Sequence, residues 1–160
     1  MVEAFEEFDA HVSVSDPDGQ DWADGLGAEQ AGSMLSGFNA SDWTKLEVAC
    51  HDRPANWRRC VAQVLTPSVG ISAQKLLLKL VHDKSETVAF DALCSVSFYC
   101  GINAGTDAVF VDNSIADADF LARARRDAAL PNGIETISRC CDPRFGKRFR
   151  LLASILKQGQ

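Results

Sequence analysis

The sequence predicts an all-α chain, and three observations predict it. Apolar residues recur at i, i+3, i+4 and i+7 through most of residues 41–157, the spacing that lines one face of a helix. Apolar-polar alternation, the mark of a half-buried strand, is confined to the short run "DAVFVD" (107–112). One pattern is also written twice, as "HDRPANWRRCVAQVL" from His51 and "HDKSETVAFDALCSV" from His82. Counting from the Asp of each copy, a bulky apolar residue stands at +5 (Trp57, Val88). Smaller or branched apolar residues stand at +9 and +10 (Val61 and Ala62; Ala92 and Leu93), and another apolar residue at +13 (Leu65, Val96). A helical pair cannot bury its own stripe, so a chain that repeats one stacks the copies and each covers its neighbour.

Residues 1–40 are the least regular part. Phe5 and Phe8, beside Glu6, Glu7 and Asp9, allow a short amphipathic helix. "SDPDGQDWADGLG" (15–27) reads as a loop from its Pro, Gly and Asp content. "AEQAGSMLSGF" (28–38) carries Met34, Leu35 and Phe38 on a helix weakened by its glycines. From residue 41 the signals sharpen. Ser41 is placed to cap a helix through Cys50, with Trp43, Leu46 and Ala49 or Cys50 on one face. Asp52 and Pro54 read as the cap and early-turn proline of a helix through Leu65. "TPSVG" (66–70) breaks the chain, and Ser72 starts a helix striped by Ala73, Leu76, Leu77 and Leu80. "HDKS" (82–85) is a tight turn whose Ser85 caps a helix to about Cys100. That helix is apolar almost all round, so it packs on several sides.

"GINAGTDAVFVDN" (101–113) is a longer loop. Ser114, with Asp117 three residues on, predicts a capping box, and the helix behind it pairs Asp119 with Arg123. Pro131-Asn132-Gly133 is expected to stop that helix, with a short one following around Ile134–Cys141. Pro143 opens a last helix striped by Phe145, Phe149, Leu152 and Leu156.

An Asp, an apolar residue at +5, Ala near +9 or +10 and an apolar residue at +13 resemble the second helix of a HEAT-type repeat. "DKSETVAFDALCSV" (83–96) is the best copy and "DRPANWRRCVAQVL" (52–65) the second. "DPRFGKRFRLLASI" (142–155) is a degraded third, with Lys147 at the +5 place and Phe149 substituting from two positions on. The resemblance covers about residues 41–157. It implies a short HEAT-like α-solenoid of about three helical pairs (41–160); the residues before it (1–40) read as an irregular acidic N-terminal arm or extra helices. "DWTKLEVACHDRPANWRRCVAQVL" (42–65) also resembles the opening of small bacterial HEAT-like proteins, several of which are similar to immunity proteins that neutralise a cognate toxin. Repeat consensus implies a fold more than a function.

Composition narrows the chemistry. The 160 residues are 46% hydrophobic, enough for a real core, and no uninterrupted run of large apolar residues exceeds three, as in Leu76-Leu77-Leu78, too short to cross a bilayer. The N-terminus lacks the basic and apolar regions of a secretory signal, so the expectation is a cytoplasmic chain with its six cysteines reduced. No C-x-x-C, H-x-x-x-H or H-E-x-x-H occurs, and "DPDGQD" (16–21) places its Gly fourth where a calcium loop needs it sixth. Cys50 and His51 are neighbours, and neighbours on a helix point to different faces, which makes a poor nucleophile–base pair. The expectation is therefore no catalytic residue, no metal and no cofactor.

Charge is polarised along the sequence. Residues 1–44 hold ten carboxylates and no Lys or Arg, while residues 143–160 hold five cations and no acid. The acidic head repels phosphate and suits a basic protein surface, whose encounter it would speed. Two readings of the head stay open: it neutralises the basic last helix at Arg144, Arg148 and Arg150, or it offers a decoy for phosphate to a cationic groove. Trp22 likewise either anchors the N-terminal segment or stands exposed as an interface aromatic. The partner-binding reading names Glu6, Glu7, Asp9, Asp16, Asp18, Asp21, Trp22 and Asp24, with Asp91 and Asp112 on the repeats. Together with the resemblance it implies a non-enzymatic immunity protein that occludes a basic, nuclease-type toxin domain. The alternatives are a structural adaptor, which calls for a large exposed apolar patch, and a HEAT-like DNA glycosylase, which calls for an exposed Trp with a lone carboxylate and for which Trp57, Arg58 and Asp91 are the conceivable residues.

Overall fold

A computed structural model gives the structure of the chain and describes residues 2–104 and 108–159. The described residues hold ten α-helices and one two-stranded sheet, so the chain is predominantly helical as its periodicity predicts. They fall into two compact units, Met1–Leu76 and Leu77–Gln160.

The first unit contains α1 (Ala4–Ser13), α2 (Gln20–Ala23), α3 (Gly27–Leu35), α4 (Ala40–Asp52) and α5 (Ala55–Val64); α6 (Ile71–Leu80) crosses the division. The segment expected to be a loop over 15–27 holds α2, and α1 and α3 are the two short helices expected there. These N-terminal helices are built into the core: α1 packs on α3, α4 and α5, and α2 packs on α3. Phe8 is fully buried, with its ring edge-on to Phe38 at 5.6 Å and to Trp57 at 6.3 Å, and Phe38 meets Trp43 at 5.4 Å. Such edge-to-face contacts add about 0.5–1.5 kcal/mol beyond burial. The four repeat positions Trp57, Val61, Ala62 and Leu65 all lie in this core.

The start of α4 corrects the expected cap. Asn39, not Ser41, occupies the N-cap; its side chain accepts from the backbone N–H of Ser41 and Asp42, and Asp42 returns a bond to the Asn39 N–H at 3.0 Å. The second oxygen of the buried Asp42 accepts from the Phe5 N–H at 3.3 Å, tying the start of α1 to the start of α4.

The second unit centres on α7 (Glu86–Tyr99), whose repeat positions Val88, Ala92, Leu93 and Val96 are fully buried. Strands β1 (Ile102–Ala104) and β2 (Val109–Val111) pair antiparallel with Ile102 opposite Val111. They fall where a loop was expected, β2 inside the alternating run "DAVFVD"; residues 105–107 of that loop lie outside the described residues. Helices α8 (Ala118–Arg126), α9 (Leu130–Cys140) and α10 (Gly146–Lys157) complete the unit. Phe149, which replaces the missing +5 residue of the third copy, is fully buried against Phe90 at 6.0 Å, while Lys147 is exposed.

Two boundary expectations are corrected here. Asp117 itself caps α8, accepting from the Phe120 N–H at 2.9 Å, so Ser114 has no capping role; its N–H and hydroxyl bond Asp112 instead. Pro131 sits in the first turn of α9, so it opens that helix rather than ending α8, which stops at Arg126. Gly133 lets α9 approach Val81 and His82 closely, since a Cβ there would stand 2.8 Å from Val81 Cγ1. The second His-Asp is therefore a turn packed against α9.

Candidate partner-binding surface

The acidic head becomes two kinds of carboxylate once folded. Three of its members meet cations of their own unit: Glu3 pairs with Lys45, Asp9 with Arg53, and Asp18 receives a two-pronged bond from Arg59 at 2.6 and 2.8 Å. The hydrogen bond from the Arg59 guanidinium holds the Asp18 carboxyl below its ordinary value, against the opposing effect of burial. Asp42 is spent on the cap of α4. The other six, Glu6, Glu7, Asp16, Asp21, Asp24 and Glu29, are exposed and have no ion-pair partner among the described residues.

The counter-ions of the head are Lys45, Arg53 and Arg59, contributed by α4, α5 and the link between them. Of the three cations expected to neutralise it, Arg144 pairs with Asp142 at 2.9 Å and Arg148 donates to the buried Ser97 at 2.9 Å. No sequence signal reaches across the roughly forty residues between each acid and its Lys or Arg, so these partners were not legible beforehand.

Trp22 is corrected. It is buried at 3% exposure, its indole N–H donates to Gln63 at 2.7 Å, and the His11 ring lies 6.3 Å from it. His11 Nε2 in turn donates to the Gly27 carbonyl at 2.8 Å, fixing α1 against the start of α3. Trp22 is thus the anchor of the N-terminal helices and offers no face to a partner. Around it the chain from Asp16 to Asp24 turns tightly: Asp16 accepts from the Asp18 N–H, and Gly19 donates to the Asp16 carbonyl. This turn gathers Asp16, Asp21 and Asp24 on one short exposed stretch.

Asp91 and Asp112 belong to the second unit. Asp91 is half-buried on α7, and Asp112, held low by the Ser114 hydroxyl and N–H, shapes the chain after β2. Trp57 and Arg58, the residues a glycosylase would need open, are both buried, and Arg58 donates to the Arg53 carbonyl. Among the described residues no three His, Cys, Asp or Glu side chains converge to hold a metal ion, and no helix is long and apolar enough to cross a membrane. A shallow depression of about 550 Å³ in the first unit is lined by Phe5, Val48, Ala49 and Pro54, with Lys45 and Arg53 at its side.

Comparison with known protein families, with curated proteins and with solved structures gave no match.

Proposed function

We propose that the chain is a non-enzymatic, HEAT-like protein-binding module that presents the exposed carboxylates of its N-terminal helices to a basic protein surface. In its most concrete form it is an immunity-type protein that occludes the cationic active site of a nuclease-type toxin domain. The observation that carries this reading is the set of six exposed acids without counter-ions, Glu6, Glu7, Asp16, Asp21, Asp24 and Glu29, on a unit with twelve Asp and Glu against five Lys and Arg. An exposed field of one sign raises encounter rates with the opposite sign and falls with ionic strength. Trp22 serves the reading indirectly, by holding the segment that displays Asp21 and Asp24.

The test is purification of the tagged protein from its host and assay of what accompanies it. A stoichiometric basic domain whose nuclease activity disappears in the complex supports the reading. Reversal at Asp21 and Asp24, neither of which bonds a cation in the fold, then lowers the association rate about tenfold, as does raised salt. An association rate indifferent to both changes sinks it.

A further inference from the structure

The second unit carries a charge pattern of the opposite kind. Residues 118–157, which contain α8–α10, hold nine Lys and Arg against four Asp and Glu. Within that basic stretch lies a groove of about 320 Å³. Its walls repeat at helical spacing: Pro131, Ile134 and Ser138 on α9, and Phe149, Ala153 and Leu156 on α10. Each wall therefore runs for two turns, about 10 Å.

The charged residues at the groove are not equivalent. Both of its carboxylates are engaged within the chain: Asp127 accepts from the N–H of Ala129 at 2.9 Å and of Leu130 at 3.0 Å, and Glu135 pairs with Arg139. Arg125 is engaged too, donating from Nε and Nη2 to the Ile155 carbonyl at 3.3 and 3.2 Å. Arg150 and Lys157 are exposed and have no ion-pair partner among the described residues. They stand seven residues apart on α10, two turns along the same wall. The charge left for a ligand is thus positive, doubled, and spaced along an apolar trough.

We propose that this groove docks an acidic amphipathic helix of a protein partner. Apolar side chains one turn apart enter between Pro131 and Ala153, over the buried Ile134 and Phe149, and carboxylates seven residues apart meet Arg150 and Lys157. The spacing selects a helix over a small amphiphilic carboxylate, which satisfies one cation and leaves the second bare. The apolar floor selects against a phosphate backbone, which is bound through charge. The surface does not involve the acidic residues of the first unit, so the two readings stand or fall separately.

The experiment is selection of the full-length protein against a displayed library of helical peptides with randomised exposed positions, counter-selected on Ala153→Trp, which fills the groove. Enriched peptides are expected to carry Asp or Glu seven residues apart beside an apolar stripe. Their synthetic forms are expected to lose at least tenfold in affinity for the Arg150→Glu/Lys157→Glu variant and to bind more weakly as salt rises. Both cations are exposed, so that variant keeps its ellipticity and remains informative if Ala153→Trp fails to fold. Absence of enrichment, enriched peptides without acidic bias, or unchanged affinity for the double charge variant each overturns the proposal. So does displacement of the peptides by decanoate at comparable affinity, which makes the occupant a small amphiphile.

Discussion

Gly101 follows α7 with φ of +97°, a region that a Cβ makes unfavourable, and an added Cβ would stand 3.3 Å from the Asp112 carbonyl oxygen and 3.2 Å from Ala116 Cβ. Its carbonyl accepts from the Asp112 N–H at 2.7 Å, so this glycine sets where the chain re-enters after β2. Gly101→Ala is expected to destabilise the protein by about 1–2 kcal/mol, read as a lower urea midpoint at unchanged slope. The cysteines sort by environment. All six are free thiols; burial pushes Cys94 up to about 11 and Cys100 up to about 12, while Cys140 is exposed at the end of α9. Alkylation of the folded protein at mildly alkaline pH is expected to reach Cys140 first and to reach Cys94 and Cys100 only on unfolding, with mass spectrometry locating the label. In the unfolded chain these two thiols ionise near 9.0, and in the fold they keep their protons. Their contribution to stability is therefore complete below that pH and is lost as pH rises from 9.0 toward about 12. Reduced thiols were the sequence expectation; the exposure of Cys140 was not, because adjacent cysteines on a helix do not announce which one faces outward.

Asp42 shows how an element is fixed by something outside it. It completes the capping box of α4 and accepts from the first turn of α1, so Asp42→Ala removes the acceptor for two backbone N–H groups at once. A loss of about 1–2 kcal/mol is expected, and Asp42→Asn, which keeps an acceptor, is expected to lose less; urea titration distinguishes them. The helices of residues 41–100 were legible because their stripes are continuous and the repeat marks one stripe twice. Every position that the repeat picked out, from Trp57 to Val96, is buried. Boundaries were less legible. Ser41 and Ser114 have the chemistry of caps, but the caps are Asn39 and Asp117, whose side chains reach the right N–H groups once the preceding turn is formed. Pro131 carries the same ambiguity, since a proline that forbids one helix interior is equally suited to the first turn of the next. The helices α1–α3 were the faintest because what stabilises them, Phe38, Trp57, Gln63, Arg53 and Arg59, lies up to 49 residues further along the chain.

At the scale of the whole molecule, charge follows the division into units. Met1–Leu76 has twelve acids and five Lys and Arg, and Leu77–Gln160 has ten acids and eleven. The polarity was visible in the sequence, and so was the identity of Asp16, Asp21 and Asp24 as members of an acidic surface. Which carboxylates stay free was not, because the counter-ions Lys45, Arg53 and Arg59 come from elsewhere in the chain. For Trp22, within its polar turn, the sequence left two readings, buried anchor and exposed interface aromatic, and its neighbours in space select the anchor. Its burial has an optical consequence. All three tryptophans, Trp22, Trp43 and Trp57, belong to Met1–Leu76, and the single tyrosine, Tyr99, to Leu77–Gln160. Tryptophan emission therefore follows one unit, whereas far-ultraviolet ellipticity sums the helices of both. Recorded together through a urea titration, the two signals are expected to give separate midpoints if each unit melts around its own core; a shared midpoint would mean that the lit and the dark half of the chain come apart as one.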